Sequence, residues 1–425
     1  MLNHTLCVTH HNLFHLAAHG HRGLELVGQS PFNGMNAFGF EGVGSHGVHF
    51  ALGRGLSSDA HALHAYAQRL ARPGWIPDNR MMRFSDLRFL VAWLLPALSI
   101  YSLAFVPTHT VAWTLAIWWG IALVDIVVPG GKRSPAAVAP DTRMTYFSAV
   151  LRLYVLLQLM LIAAGAYAAM RADWPVVLGM AFSVGFITGS QGITFAHELG
   201  HGKSKIDRFC GWVLMTSVCY GHFMVEHYRG HHPRAATHTD AATSRFGETL
   251  YQFLPRTLWG SLQSGWALEG QRIKQMKSSW LRSPLAWSTA ASVLVVVAAA
   301  ALFSPLAAGK VIAFFLAQSV VAFVLLETVN YIEHYGLERK TTGGKRESFG
   351  MMHAWNADHV ATNSMLANLQ RHSDHHMHAW KPYPTLEPLP GPQLPTGYAG
   401  CLVLAMIPPL WFAMMHPRIA KVTAN

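Results

Sequence analysis

The sequence predicts an all-α integral membrane protein: six transmembrane helices under a cytoplasmic helical cap that carries clustered histidines. Three observations point there. Hydrophobic residues make up 51% of the 425 positions and charged residues only 12%, with a mean hydropathy of +0.23. Six apolar runs, at about 88–106, 109–128, 146–170, 174–195, 285–304 and 309–331, approach the ~20 residues that span a bilayer core. The histidines outside the N-terminal stretch concentrate just beyond the ends of these runs.

Taken in order, residues 1–80 differ from the rest. They hold ten of the 26 histidines and eleven of the 36 glycines, with no sustained helical or strand period and no spanning run. The basic start, apolar middle and cleavage site of a signal peptide are lacking. The expectation is a non-native or disordered extension, with the biological start at Met81 or Met82, where MMRFSDLRFLVAWLLPAL feeds two arginines into the first span. A His-rich metal-binding tail is the alternative.

The domain proper is read as 81–420. Its first four spans pair as helical hairpins, 88–128 and 146–195. A polar stretch over 197–284 follows, and a third hairpin, 285–331, leads into NYIEHYG. Residues 332–420 complete the cap, with turn formers in TTGGK, KPYP and LPGPQLP. The apolar segment 398–416 is broken by Pro408 and Pro409. Adjacent prolines remove backbone donors, so a helix lying on or dipping into the interface is expected there, not a seventh crossing.

Charge sets the orientation. Arg80, Arg83, Arg88, Lys132, Arg133, Arg143, Lys203, Lys205, Arg208, Arg229, Arg234, Arg245 and Arg256 all lie on one side of the predicted topology. The opposite loops, VPTH, RAD and SPLAAGK, carry almost nothing. The positive-inside bias puts both termini and every histidine cluster in the cytoplasm, as in a bacterial-type inner membrane. The formal charge of +11 is spread along this face, which argues against nucleic acid and for anionic headgroups or an acidic partner. Asp125, near the end of span two, is expected to face the bundle or pair with Lys132 or Arg133. Cys7, Cys210, Cys219 and Cys401 form no C-x-x-C pair, so neither a disulfide framework nor a built-in electron-transfer module is expected.

Nine histidines fall into four boxes: His197 and His201 in HELGH; His227, His231 and His232 in HYRGHH; His334 in NYIEHYG; His372, His375 and His376 in LQRHSDHH. Imidazole suits iron, copper and zinc, and an i,i+4 pair offers two ligands from one helical face. Nine ligands exceed a structural zinc site. Two metals is the economical count, and such a centre at a membrane surface points to redox chemistry on an apolar substrate. H-E-x-x-H alone would suggest a zinc protease, but the further clusters and the emerging membrane helix argue against one. His227 and His231 stand one turn apart with His232 beside them, so the helix must end or bend to aim both.

Glu198, Glu226, Glu333 and Asp374 sit beside the boxes and are candidates to accept the second ring N–H of an imidazole; ordinary helix-end solvation is the bland reading. Asp240 and Asp358 have weaker claims. His222, like His238, His353, His359 and His378, lies off the ligand spacing, and a supporting role suits it better than ligation. His109 and His416 read as interfacial polar residues.

At HELGHGKSKIDR, YGHFMVEHYRGHH, TSRFGETLYQFLPR, NYIEHYGL, LQRHSDHH and IPPLWFAMMHP, in that order over roughly 81–420, the chain closely resembles the integral-membrane alkane 1-monooxygenases, within the membrane desaturase and hydroxylase superfamily. The resemblance implies that the nine histidines ligate two iron ions in a non-haem di-iron centre. That centre would use O2 to hydroxylate the terminal methyl of a linear alkane, with electrons from rubredoxin, itself reduced by rubredoxin reductase. GGKRSPAAVAP departs from the family by lacking its Asn-Pro-Pro stretch, and residues 1–80 have no counterpart. Zinc has no redox chemistry, which favours iron. An alkane offers no polar handle, so an apolar channel between helices must recognise it by shape. Trp113, Trp118 or Trp119 could set its depth; lipid contact is the alternative for each. A methyl-arene hydroxylase, or a fatty-acyl hydroxylase or desaturase, would share fold and metals. A His-rich metal transporter would place its ligands near mid-bilayer.

Overall fold

In the computed structural model, residues 84–128 and 141–423 are described, together with six short strands between Thr5 and Val48. Four of those strands, Thr5–Thr9, Asn12–Ala18, Leu24–Gln29 and Asn36–Gly39, form an antiparallel meander in sequence order. The expectation that 1–80 is an extension or a metal-binding tail otherwise lies outside the described residues. Residues 1–79 form one compact unit and 80–425 another.

The second unit is an all-α integral membrane fold. Six helices are long and apolar enough to cross a bilayer: α1 Asp86–Phe105, α2 Pro107–Val127, α3 Met144–Ala169, α4 Trp174–His201, α5 Pro284–Leu302 and α6 Pro305–His334. Each agrees with its predicted run to within a few residues, except that α4 and α6 continue beyond the apolar stretch into HELGH and NYIEH. Proline at the first helical position starts α5 and α6, where its missing N–H costs no hydrogen bond.

The helices α4 and α6 form the centre of the bundle and are its most buried spans. Small residues let them cross closely, as expected in lipid. A Cβ on Gly185 would lie 2.5 Å from the Gln318 carbonyl oxygen, and one on Gly189 would lie 2.6 Å from the Ala322 backbone. Buried amides tie the spans together. Gln318 accepts from Thr188 at 3.1 Å and donates to the Ser217 carbonyl at 3.1 Å, while Gln158 donates to Ser217 Oγ at 2.8 Å.

At the end of the bundle where α4 and α6 terminate, shorter helices build the cap: α7 Lys205–Thr216, α8 over 223–234, α9 Leu250–Gln275, α10 Val360–Met365 and α11 His372–Met377. A capping box at Thr249 and Gln252 opens α9. Glu269 fastens its far end, accepting from Arg272 at 2.7 Å and from Ser283, the N-cap of α5, at 2.7 Å. Asp125 faces the bundle as expected, accepting from the Thr362 amide at 3.3 Å and from its hydroxyl; Lys132 and Arg133 lie outside the described residues.

The proline-broken segment forms two helices, α12 Tyr398–Ala405 and α13 Pro408–Thr423, bent by 119° at the break. The bend falls immediately before Pro408 and Pro409. It lets Trp411 pack on Tyr331 and Tyr335 at the end of α6.

Candidate metal centre

The nine predicted histidines converge from four directions. The ends of α4 and α6 deliver His197, His201 and His334, and α8 and α11 deliver the other six. They divide into two groups in which one ring nitrogen of each residue lies within 4.8 Å of every other: His197, His201, His227, His232 and His375 in one, and His231, His334, His372 and His376 in the other.

The division cuts across the α-turn in α8. His227 and His231, one α-turn apart, go to different groups, and His227 joins His232. The cause is a π-helical turn over His227–His231. Widening the turn to an i→i+5 repeat brings residues five apart onto one face. The helix swells by one residue here and ends at Arg234, two residues after His232. In α11 the ordinary i,i+4 repeat places His372 and His376 in one group, leaving His375 to face the other.

Within the groups the Nε2 atoms point at one another. Their separations are 2.9 Å for His197 and His375, 3.3 Å for His201 and His197, 3.1 Å for His232 and His201, 3.0 Å for His232 and His227, and 3.2 Å for His372 and His334. Metal–imidazole bonds of about 2.0–2.1 Å put adjacent ligand atoms about 3 Å apart, which these spacings match. Hydrogen bonding between imidazoles does not explain them. His232 Nε2 would need to satisfy two ring nitrogens with a single proton or lone pair. A shared cation resolves that conflict, so the donor set fits a pair of metal ions.

The protonation states fit as well. Burial, followed by the neighbouring imidazoles, pushes His227, His232, His372, His375 and His376 well below the ordinary histidine range. The shift favours the neutral ring with a free lone pair, the form metal binding requires. His231 differs. Burial alone would depress it, but Asp240, with Glu226 and Glu333 behind it, raises it on balance, and Asp240 is held below the usual carboxylate range in return.

That pair is the closest carboxylate contact made by any of the nine imidazoles. Asp240 Oδ2 lies 2.8 Å from His231 Nδ1 and also accepts from the Thr243 hydroxyl at 2.6 Å. Of the favoured carboxylates, Glu333 comes nearest an imidazole of the centre, its Oε1 lying 3.2 Å from His372 Nδ1 without a hydrogen bond between them, and it accepts from Tyr398 at 2.6 Å. The other three turn elsewhere. Glu198 accepts from the Tyr383 amide, Glu226 pairs with Arg234, and Asp374 accepts from His378, Lys381 and the Glu387 amide. Each is occupied by donors other than the nine clustered imidazoles. Burial pushes Glu226 up to about 7 despite Arg234. His222 stays outside both groups, buried against Tyr220 and lowered to about 4 by that burial. Among the more doubtful residues, exposed His238 pairs with Glu338, half-buried His353 pairs with Glu347, and Asp358 holds Arg371. Nothing short-range in the sequence marks Asp240 beyond its place nine residues after His231. Tyr398, 65 residues from Glu333, carries no signal at all.

Below the centre an apolar cavity, partly open, lies between α1, α2, α4, α6 and α12. Thr194 and Leu369 line it, each three residues before a histidine of the centre. Trp118 closes one wall and donates its indole N–H to the Ala399 carbonyl at 3.0 Å. Trp113 and Trp119 are instead exposed on the outer face of α2, where lipid would meet them.

Comparison with known proteins follows the same lines. Residues 172–416 match the fatty acid desaturase family. Alkane 1-monooxygenase 2 of Pseudomonas aeruginosa is 41% identical over 309 residues, 70% of this chain and 81% of that protein. Alkane 1-monooxygenase 1 of the same organism is 39% identical over 349 residues, 77% and 89% of the two chains. The xylene/toluene monooxygenase hydroxylase component XylM of Pseudomonas putida is 26% identical over 241 residues, 56% of this chain and 63% of that one.

Proposed function

The chain belongs to the alkane 1-monooxygenase family, and from that premise we propose that it inserts one oxygen atom of O2 into the terminal methyl of a linear alkane. One molecule each of alkane and O2, with two electrons and two protons, gives a primary alcohol and water. The observation that carries this reading is the adjacency of two convergent imidazole groups to an apolar cavity with little polar lining.

Two iron ions, held by His197, His201, His227, His232 and His375 and by His231, His334, His372 and His376, would supply the O2 and electron chemistry that zinc cannot. The chain's own residues do the rest. Neutral imidazoles present lone pairs, and Asp240 fixes the tautomer and orientation of His231 through Nδ1. Glu333, braced by Tyr398, stands beside His372. The cavity wall excludes water and holds the chain by shape, and Thr194 and Leu369 bring its upper end to the shell of the ligands.

Electrons are taken to come from rubredoxin, with rubredoxin reductase upstream, docking on a basic face. Support for that face is the run of Lys and Arg on the histidine side of the topology. The same asymmetry supports an inner-membrane protein with its centre and both termini in the cytoplasm. The likeness to XylM favours one second reading, hydroxylation of a methyl-arene in the same cavity.

The test is product analysis from membranes carrying the protein, supplied with iron, NADH, rubredoxin, rubredoxin reductase and n-alkanes of graded length. The expected result is primary 1-alkanols, dependent on rubredoxin and lost in His375→Ala. Oxidation of methyl-arenes with no alkanol from iron-loaded protein would favour the second reading.

A further inference from the structure

The cavity below the centre is apolar with one exception that the alkane does not explain. Four of its lining residues carry hydroxyls, and each hydroxyl is already committed. Ser190 donates to the Phe186 carbonyl at 2.7 Å and Thr194 to the Ser190 carbonyl at 2.6 Å. Thr362 donates to Asp125, and Tyr398 donates to Glu333 at 2.6 Å. Gln191 also lines the cavity and is fully buried, yet neither its Nε2 nor its Oε1 has a partner among the described residues. A buried primary amide left unpaired is costly, and such a group calls for an explanation.

Its setting is built. Gln191 sits in a second π-helical turn, Thr188–Gly192. That turn is wedged against α6 by Gly189 and against Gln158 by Gly192, where a Cβ would meet backbone or side-chain atoms at 2.6 Å and 1.9 Å. Six residues further along α4 comes His197, about 9 Å away at 1.5 Å per residue.

We propose that Gln191 is a hydroxyl-binding subsite that holds a primary alcohol, the class of molecule the reaction produces, inside the cavity. The inference rests on the hydroxylase reading for the source of the alcohol, while the site itself rests on Gln191. The amide offers one acceptor and two donors. A hydroxyl both donates and accepts, so it can engage Oε1 and Nε2, whereas an aldehyde or an ester leaves Oε1 without a donor and a carboxylate repels it. An alkane engages neither. A water can meet the same two atoms but leaves the apolar wall around it unfilled. The alkyl chain of an alcohol would fill the remaining apolar volume.

The consequence is a preference for alkanol over alkane of equal length, seen as product retention and competitive inhibition. The test is equilibrium binding to the iron-loaded full chain in lipid nanodiscs, with isotope-labelled 1-alkanols, n-alkanes, aldehydes and alkanoates of graded length. Gln191→Met and Gln191→Leu are compared with the parent, with alkane turnover measured in parallel. The expected result is alkanol Kd weakened about tenfold in both variants, with n-alkane Kd held, which also reports an intact cavity. Alkanol binding unchanged by both substitutions overturns the proposal, as does an equal weakening of alkanol and alkane. Alkane oxidation together with Gln191-independent alkanol binding sinks this inference and leaves the hydroxylase reading standing. Gln191-dependent alkanol binding without alkane oxidation does the reverse.

Discussion

Asp240 shows how one carboxylate can set the properties of a metal centre without touching the metal. Its bond to His231 Nδ1 at 2.8 Å aims Nε2 inward. Asp240→Asn keeps the shape but removes the charge and allows the wrong tautomer. Metal affinity at the group holding His231 should fall about 10- to 100-fold, read as iron per protein after dialysis against a graded chelator. Trp118 acts by bulk. It closes the cavity from α2 while its neighbours Trp113 and Trp119 face outward, so Trp118→Ala should shift the accepted alkanes to longer chains, checked by the alkanol distribution from a mixed-length feed. All nine histidines were legible because ligand spacing is local. Which carboxylate serves which imidazole was not, since Glu198, Glu226 and Asp374 are captured by Tyr383, Arg234 and Lys381, partners fixed only by the tertiary fold.

Individual helices carry information that a hydrophobicity profile does not. The six spans could be read from apolar runs alone, and the bend at Pro408 from proline chemistry. The two π-turns could not, because a one-residue swelling leaves composition unchanged while reassigning His231 and His232 to different groups. The turn over Thr188–Gly192 depends on glycine at a backbone crossing. Gly189→Ala would set a Cβ 2.6 Å from the Ala322 backbone, which cannot swing aside, and should destabilise the α4–α6 crossing by about 1–3 kcal/mol, seen as a lower Tm. At the edge of the bundle Glu269 joins α9 to the start of α5. Its bond from Arg272 outweighs burial and, with Ser283, holds it below its usual value near 4.5. That stabilisation is complete above about pH 4.5 and is lost as the pH falls through the lower folded value. Melting profiles of Glu269→Gln should therefore be flatter than the parent's over that acidic window, and lower above it.

The fold of the whole molecule was legible because a bilayer permits few solutions: spanning segments must satisfy their own backbone, and only helices do so with runs of this length. How the cap closes over them was not legible, since it depends on long-range contacts such as Asp125 with Thr362 and Trp118 with Ala399. The centre also binds the cap together, drawing α4, α6, α8 and α11 to common points. Metal removal should therefore lower Tm as well as activity, and ferrous iron added back should restore both; an unchanged Tm in the chelated protein would mean that the cap holds without it. Both imidazole groups draw on α11, His375 serving one and His372 and His376 the other. During synthesis, all six spans emerge from the ribosome before that helix does. Neither half of the centre can then be complete while the chain is being threaded into the lipid, so metal capture follows insertion. A chain interrupted after His334 would be a membrane protein with its anchor finished and both of its metal sites still open.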